Sequence, residues 1–408
     1  MSHEFVTVDS KGHAKIHLHP GQQRAMDSKR RFVFVIAGTQ SGKTCFGPWW
    51  LTREIKLCGP GDYLAVTATY DLFKLKFLPE MLKVFQGYEY QKAERVLRAE
   101  GTRIILRSAD AEGGLESATA KAALLDECGQ DRFRITAWQA VLRRLSLSQG
   151  RVFGGTTPYN MGWLKTEVYD RWKDGDPDYD VIQFPSTLNP LFPTAEFDRA
   201  KRTLPDWKFR MFYEGQFTRP AGLIYGDYDE AVHKVKPFAI PVEWPRYVGI
   251  DFGAVHTALI WIAHDVDREA YYIYRESVEG GKSTPEHVNT ALSLVRSERV
   301  VRWFGGAKSE SQQRMDWAAA GIRVREPPIS DVESGIDRVI GLFKMSQLFV
   351  FENCTMVRDE LGTYSREVDE MGLVSEKIKD KQQFHLLDAL RYVVAGITGK
   401  PRVGLAFS

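Results

Sequence analysis

From residue 31 to about 158, short β-branched runs alternate with helix-like stretches, a pattern that predicts a parallel α/β sheet. The predicted strands are Phe32–Ala37, Tyr63–Thr67, Arg103–Arg107, Ala122–Leu125 and Arg151–Gly154. A charged, aromatic, helix-like segment follows over residues 189–217, and Gly222–His233 reads as a connector. A second pattern then begins. Strands at Arg246–Asp251, Thr257–Ala263 and Ala270–Glu276 form an expected antiparallel meander, followed by a helix over residues 284–297, a strand Val300–Phe304, a helix Ser309–Ala320 and a strand Ile322–Glu326. Helices near Val332–Met345 and His385–Ile397 close the unit. The expected boundaries are a first domain over 1–220, a linker over 221–245, a second domain over 246–400 and a tail over 401–408.

A chain of 408 residues exceeds one ordinary core, so composition agrees with two domains. With 43% hydrophobic and 26% charged residues it has both core material and a polar surface. The net charge of +2 neither demands nor excludes a polyanionic partner, so any DNA site must be a local patch. Cys45, Cys58, Cys128 and Cys354 lack CxxC spacing, which argues against a zinc ribbon or a disulfide framework and for a reducing compartment. No stretch of about 18 apolar residues and no apolar signal core occurs, so neither membrane insertion nor secretion is expected.

The strand Phe32–Ala37 runs into Gly38-Thr39-Gln40-Ser41-Gly42-Lys43-Thr44, an A-x-x-x-x-G-K-T segment with Ala37 in place of the usual first glycine. Backbone N–H groups around Ser41–Lys43 would cradle phosphate, Lys43 would reach the β- and γ-phosphates, and Thr44 would bind Mg²⁺. A second apolar strand ends in Asp126-Glu127, suited to holding Mg²⁺ and to orienting and deprotonating the attacking water, respectively. Gln22 could read an adenine edge with its amide, and Thr157, in Gly155-Thr156-Thr157-Pro158, could sense the γ-phosphate. Arg143 and Arg144 are the candidate arginine finger, from the same chain or a neighbouring subunit; a solvated face or DNA phosphates would explain them equally well.

In the second unit, Asp251 puts a carboxylate inside an apolar strand, where charge is rare unless paired or metal-bound. His385 and Asp388, three apart on a predicted helix, present imidazole and carboxylate on one face. A third acid is needed. Glu310 is the expected one, with Glu276 in reserve, and an oxygen-rich set of this kind suits Mg²⁺ or Mn²⁺ rather than zinc.

The order Pro-x-Gln, A-x-x-x-x-G-K-T, L-L-D-E, G-T-T-P, G-I-D-F-G and H-L-L-D-A-L-R-Y resembles the large terminase subunits of tailed bacteriophages, from about Gln22 to Tyr392. The resemblance implies an N-terminal P-loop (RecA-like, ASCE) ATPase domain and a C-terminal RNase H-like nuclease domain. It implies ATP-driven movement of double-stranded DNA into a procapsid and two-metal DNA cleavage, with Asp251 and Asp388 matching family acids and His385 assisting metal binding. Many relatives carry the middle acid at the end of the fourth strand, where this chain has Gly305-Gly306. Implied partners are a small terminase subunit, the portal and procapsid, and further copies of the chain in a ring, in the host cytoplasm rather than the mature virion. Two rivals stand beside it: a helicase-like or remodelling ATPase whose second domain only binds DNA, and a nucleotide-gated assembly protein without DNA chemistry.

Overall fold

The computed structural model describes residues 5–8, 10, 14–110, 119–253, 255–295, 298–329, 331–369 and 373–398; the expected tail over 401–408 lies outside the described residues. The chain divides into two compact units, the first running to Ala221 with Val368–Val374 joined to it, the second starting at Gly222.

The first unit is built on an eight-stranded sheet. Phe32–Ala37 lies between Tyr179–Phe184 and Arg151–Thr156, parallel to both, and Ala122–Asp126, Asp62–Thr67 and Thr102–Ser108 continue in parallel. Val96–Ala99 and Glu89–Gln91 add an antiparallel edge. Every residue of Phe32–Ala37 and of Ala122–Asp126 is buried, because helices cover both faces of a parallel sheet. Parallel strands bring their carboxyl ends to one edge, where ligands bind in open α/β sheets. The glycine-rich loop, Asp126-Glu127 and Thr156-Thr157 all emerge there. Tyr179–Phe184 was not among the predicted strands; it is the sheet's outer strand, and its half-buried Asp180 and Gln183 interrupt the apolar run.

The second unit centres on a seven-stranded sheet in the order Lys234–Val235, Leu348–Phe351, Ala270–Gly280, His256–Asp265, Arg246–Phe252, Val300–Gly305, Val324–Arg325. Its antiparallel meander of Arg246–Phe252, His256–Asp265 and Ala270–Gly280, with Val300–Gly305 and Val324–Arg325 added in parallel beside Arg246–Phe252, is the RNase H-like arrangement. The first part of the expected linker is a correction. Ile224, Tyr225 and Tyr228 are buried in this unit's core, and Lys234–Val235 pairs with Leu348–Phe351, because aromatic side chains of this size are stabilised by burial rather than left on a tether. A helix Thr355–Thr363 was not among the predicted elements; its Arg358, Asp359 and Glu360 are all buried.

The last helix, His385–Thr398, lies on the strand Arg246–Phe252 so closely that a Cβ on Gly249 would stand 2.1 Å from the Ala389 carbonyl oxygen. Gly249→Ala is therefore expected to destabilise the second unit by about 3 kcal/mol, the upper range for overpacking, because backbone must move. Denaturant unfolding checks this, and a loss within ~0.5 kcal/mol, typical of harmless surface changes, would refute the close contact.

Candidate functional site

In the first unit, the loop after Phe32–Ala37 closes on Gly42 in the left-handed region (φ 85°), and the helix Lys43–Cys58 starts at once. Neither a side-chain cap nor an acid occupies that helix's first turn, so its free N–H groups face an open cleft of about 510 Å³. Such a terminus favours an anion. Backbone bonds from Gly38 N to Phe184 O (3.0 Å) and Thr39 N to Phe212 O (2.7 Å), with Ser186 Oγ donating to Thr39 O (2.7 Å) and Asn189 Nδ2 to Gln40 O (2.7 Å), hold the loop's shape.

Lys43 is buried, and its ammonium donates to Ala37 O (3.0 Å), Gly38 O (2.7 Å), Ser41 Oγ (3.1 Å) and Thr157 Oγ1 (3.2 Å). Burial pulls its pKa down to about 8, while Glu127 and Asp126 oppose that fall. Asp126 is buried beside Glu127, which together push its pKa up; a hydrogen bond from Thr44 and the charge of Lys43 partly offset this. A buried acid that resists ionising is the state a nearby dication would reverse, and the oxygen donors of Thr44 and Asp126 suit Mg²⁺. Glu127 has φ 52°, a strained conformation for a side chain of its size, with Tyr159 donating to its Oε2 (3.1 Å). Both features fix the carboxylate at the edge of the cleft.

Two placements revise the sequence expectations. Gln22 spends its amide on the chain itself: Oε1 accepts from His19 N (3.2 Å) and Nε2 donates to Gly42 O (3.0 Å), so it braces the loop rather than offering an adenine-reading edge. Arg143 and Arg144 lie in the last turn of the helix Ile135–Leu145, and Arg144 O accepts from Ala120 N, two residues before Ala122–Asp126 begins. That strand separates them from Asp126 by roughly 15 Å at about 3.3 Å per residue. The helix end that carries them therefore lies toward the end of that strand remote from Asp126.

In the second unit, Asp251 and the helix His385–Thr398 meet: His385 Nδ1 lies 2.8 Å from Asp251 Oδ2, and Asp388 pairs with Arg391. The Asp251 contact raises the His385 pKa against the effect of burial. Burial raises that of Asp388, with Asp251 adding to it against Arg391. Glu310, beside the start of Ser311–Ala320, accepts from Ala307 N at 2.5 Å; burial raises its pKa, and the charges of Asp251 and Asp388 add to the rise. The three acids therefore share one electrostatic neighbourhood. Gly305 and Gly306 leave no room for an acid at the strand end: a Cβ on Gly305 would stand 2.6 Å from Ile250 O, and Gly306 has φ 75°.

The chemistry of this donor set fits a hard divalent cation, but the positions as they stand do not complete a site. Among the described residues no group of three or more His, Cys, Asp or Glu side chains is placed to hold a metal ion. Asp251 is engaged by His385, and Asp388 is paired with the Arg391 guanidinium, which balances part of the acidic charge.

No family model matches the chain. It is 24% identical over 397 residues to the terminase large subunit of Escherichia phage T5, covering 91% of this chain and 88% of that protein. The chain is similar to a phage large terminase subunit over most of its length. Among solved structures, the HK97 bacteriophage large terminase is similar over 93% of this chain and 95% of its own, at 14% identity and TM-score 0.48. The large terminase of a thermophilic bacteriophage, in complex with ADP, is similar over 94% and 100%, at 17% identity and TM-score 0.45.

Sequence reasoning missed Tyr159, which holds Glu127, and Lys76, which lines the cleft and whose charge reaches Asp126. No local motif marks either. Glu276, the reserve acid, is a correction: it turns to the helix Thr355–Thr363, accepting from Met356 N and Val357 N at 2.8 Å each. Burial raises its pKa to about 7, above the ordinary 4.5, despite these bonds. A raised acid pKa means the folded state binds the proton more tightly, so this residue's contribution to stability is full below about pH 4.5 and is lost as pH rises through about 7. Between pH 5 and 8 the wild type should therefore lose stability relative to Glu276→Gln in paired denaturant melts. Parallel pH profiles would sink the idea.

Proposed function

We propose that the chain is the motor and nuclease subunit of a phage DNA-packaging machine, hydrolysing ATP to drive double-stranded DNA into a procapsid and cutting that DNA with its second unit. The observation that carries this reading is one chain that joins a buried P-loop lysine beside Asp126-Glu127 to a separate three-acid neighbourhood on an RNase H-like sheet. In the first unit, Lys43 and the free N–H groups of its helix would neutralise the transferring phosphoryl group, and Glu127 would orient water and take its proton. Thr44 and Asp126 would hold Mg²⁺. Thr157, which accepts a hydrogen bond from Lys43, would sense the γ-phosphate. In the second unit Asp251, Glu310 and Asp388, with His385, would hold Mg²⁺ or Mn²⁺ once Arg391 and His385 yield their acids. When bound, such ions supply activation of water and neutralisation of charge in phosphodiester hydrolysis.

The terminase likeness supports a small terminase subunit, a portal on a procapsid and a ring of copies as partners, with assembly in the host cytoplasm. Within such a ring, Arg143 or Arg144 would serve a neighbour's site. Among the described residues no helix is long and apolar enough to cross a membrane. One observation favours a DNA-dependent ATPase whose second unit only binds DNA: the lack, among the described residues, of a preformed three-ligand group. Plasmid cleavage by the full chain in Mg²⁺, Mn²⁺ or chelator separates the readings. Divalent-dependent cutting that Glu310→Gln lowers at least about tenfold, the effect of losing one metal-supporting group, is expected. Cutting that is absent would favour the DNA-binding reading, and full activity in Glu310→Gln would remove that residue from the site.

A further inference from the structure

Two carboxylates outside the acidic site, half-buried Glu276 and buried Glu360, sit in a line that leads to it. Glu276 stands on the strand Ala270–Gly280 and caps the first turn of Thr355–Thr363 through Met356 N and Val357 N. On that helix, buried Glu360 reaches across 27 residues of sequence and accepts from Leu387 N at 3.0 Å. Leu387 lies in the first turn of the last helix, between His385 and Asp388. The residue before that helix is Phe384, which has no side-chain acceptor to cap it locally.

We infer that Glu360 is a positioning residue for the acidic site of the second unit, fixing the first turn of the last helix so that Asp388 and His385 face Asp251. The inference rests on the nuclease reading above. A helix start needs only a serine or aspartate at its own cap to satisfy its N–H groups. Bringing a charged residue into the interior instead is costly unless it does something a local cap cannot. Glu360 ties the helix start to a second helix, and Glu276 ties that helix to the sheet. Asp251 stands on the same sheet, since Arg246–Phe252 pairs with His256–Asp265 and that strand with Ala270–Gly280. The two ends of the acidic site are thereby referred to one frame. Groups behind metal-holding side chains typically change metal affinity or activity by about 10- to 100-fold when removed.

The test uses the full chain, with Mn²⁺ as the probe, and reads two quantities: the Mn²⁺ concentration for half-maximal plasmid cutting, and hydrogen exchange of the backbone over residues 385–392. Glu360→Ala should raise the half-saturating Mn²⁺ by roughly tenfold and speed exchange, while ATP turnover stays unchanged. Glu360→Gln keeps a carbonyl acceptor for Leu387 N and should stay within about twofold of wild type on both readouts, as a retained acceptor implies. Should Glu360→Ala fail to fold, Glu360→Asp decides: it keeps the charge but is one methylene short, so its half-saturation should rise while that of Glu360→Gln does not. A cutting wild type with unshifted Glu360→Ala, or equal behaviour of Glu360→Asp and Glu360→Gln, overturns this inference alone. A wild type without divalent-dependent cutting overturns the nuclease reading and this inference with it.

Discussion

Lys43→Ala is expected to reduce ATP turnover by at least about a hundredfold, the cost of removing one preorganised charge or donor from a developing anion. Two effects add. The variant removes the cation nearest the cleft's phosphate cradle, and it leaves the carbonyls of Ala37 and Gly38 and the hydroxyls of Ser41 and Thr157 without the ammonium that joins them. Glu127→Gln should differ in kind, since the cradle and Lys43 remain: nucleotide binding is kept and hydrolysis is lost. Nucleotide titration and steady-state phosphate release separate the two. A Lys43→Ala chain with near wild-type turnover would remove the lysine from the mechanism, and a Glu127→Gln chain that hydrolyses normally would remove Glu127 as the base. In both variants DNA cutting should persist in Mn²⁺, because the acids of the second unit belong to a separate compact unit.

Asp251→Asn should abolish plasmid cutting while ATP turnover remains, and Asp388→Asn should do the same with a second consequence. Arg391 is only 3% exposed and pairs with Asp388, so the asparagine leaves a buried guanidinium without its counter-charge. Breaking such a pair costs about 3–5 kcal/mol, which makes Asp251→Asn the cleaner variant and stability a necessary control for the other. The physical basis is the crowding of Asp251, Glu310 and Asp388, whose mutual charges help raise the pKa values of the latter two. A dication that binds the folded form alone relieves this repulsion, so Mn²⁺ should raise the melting temperature of the wild type more than that of Asp251→Asn. Equal shifts, or undiminished cutting by Asp251→Asn, would refute the assignment. His385→Ala should weaken cutting less, since water can replace an imidazole.

The parts of this protein that consecutive residues determine were legible in its sequence. The apolar runs Phe32–Ala37 and Ala122–Asp126 declare buried strands, and the phosphate loop lies wholly within residues 38–44, so its chemistry follows from its order. His385 and Asp388 are one helical turn apart, which also needs no knowledge of the rest of the chain. What only tertiary structure decided concerns groups brought together from distant segments. In sequence Glu310 is the expected third acid and Glu276 the reserve; in the structure Glu276 faces a helix 80 residues away and Glu310 feels Asp251 and Asp388, because sheet order and side-chain direction set which acids meet. Arg358, Asp359 and Glu360 are three consecutive ionisable residues, yet packing buries all of them, and only the fold places the end of the helix that carries Arg143 and Arg144 toward the end of Ala122–Asp126 remote from Asp126. Local spacing encodes which groups a segment can present; burial and long-range pairing, which cost chain entropy and depend on every neighbour at once, decide what those groups face.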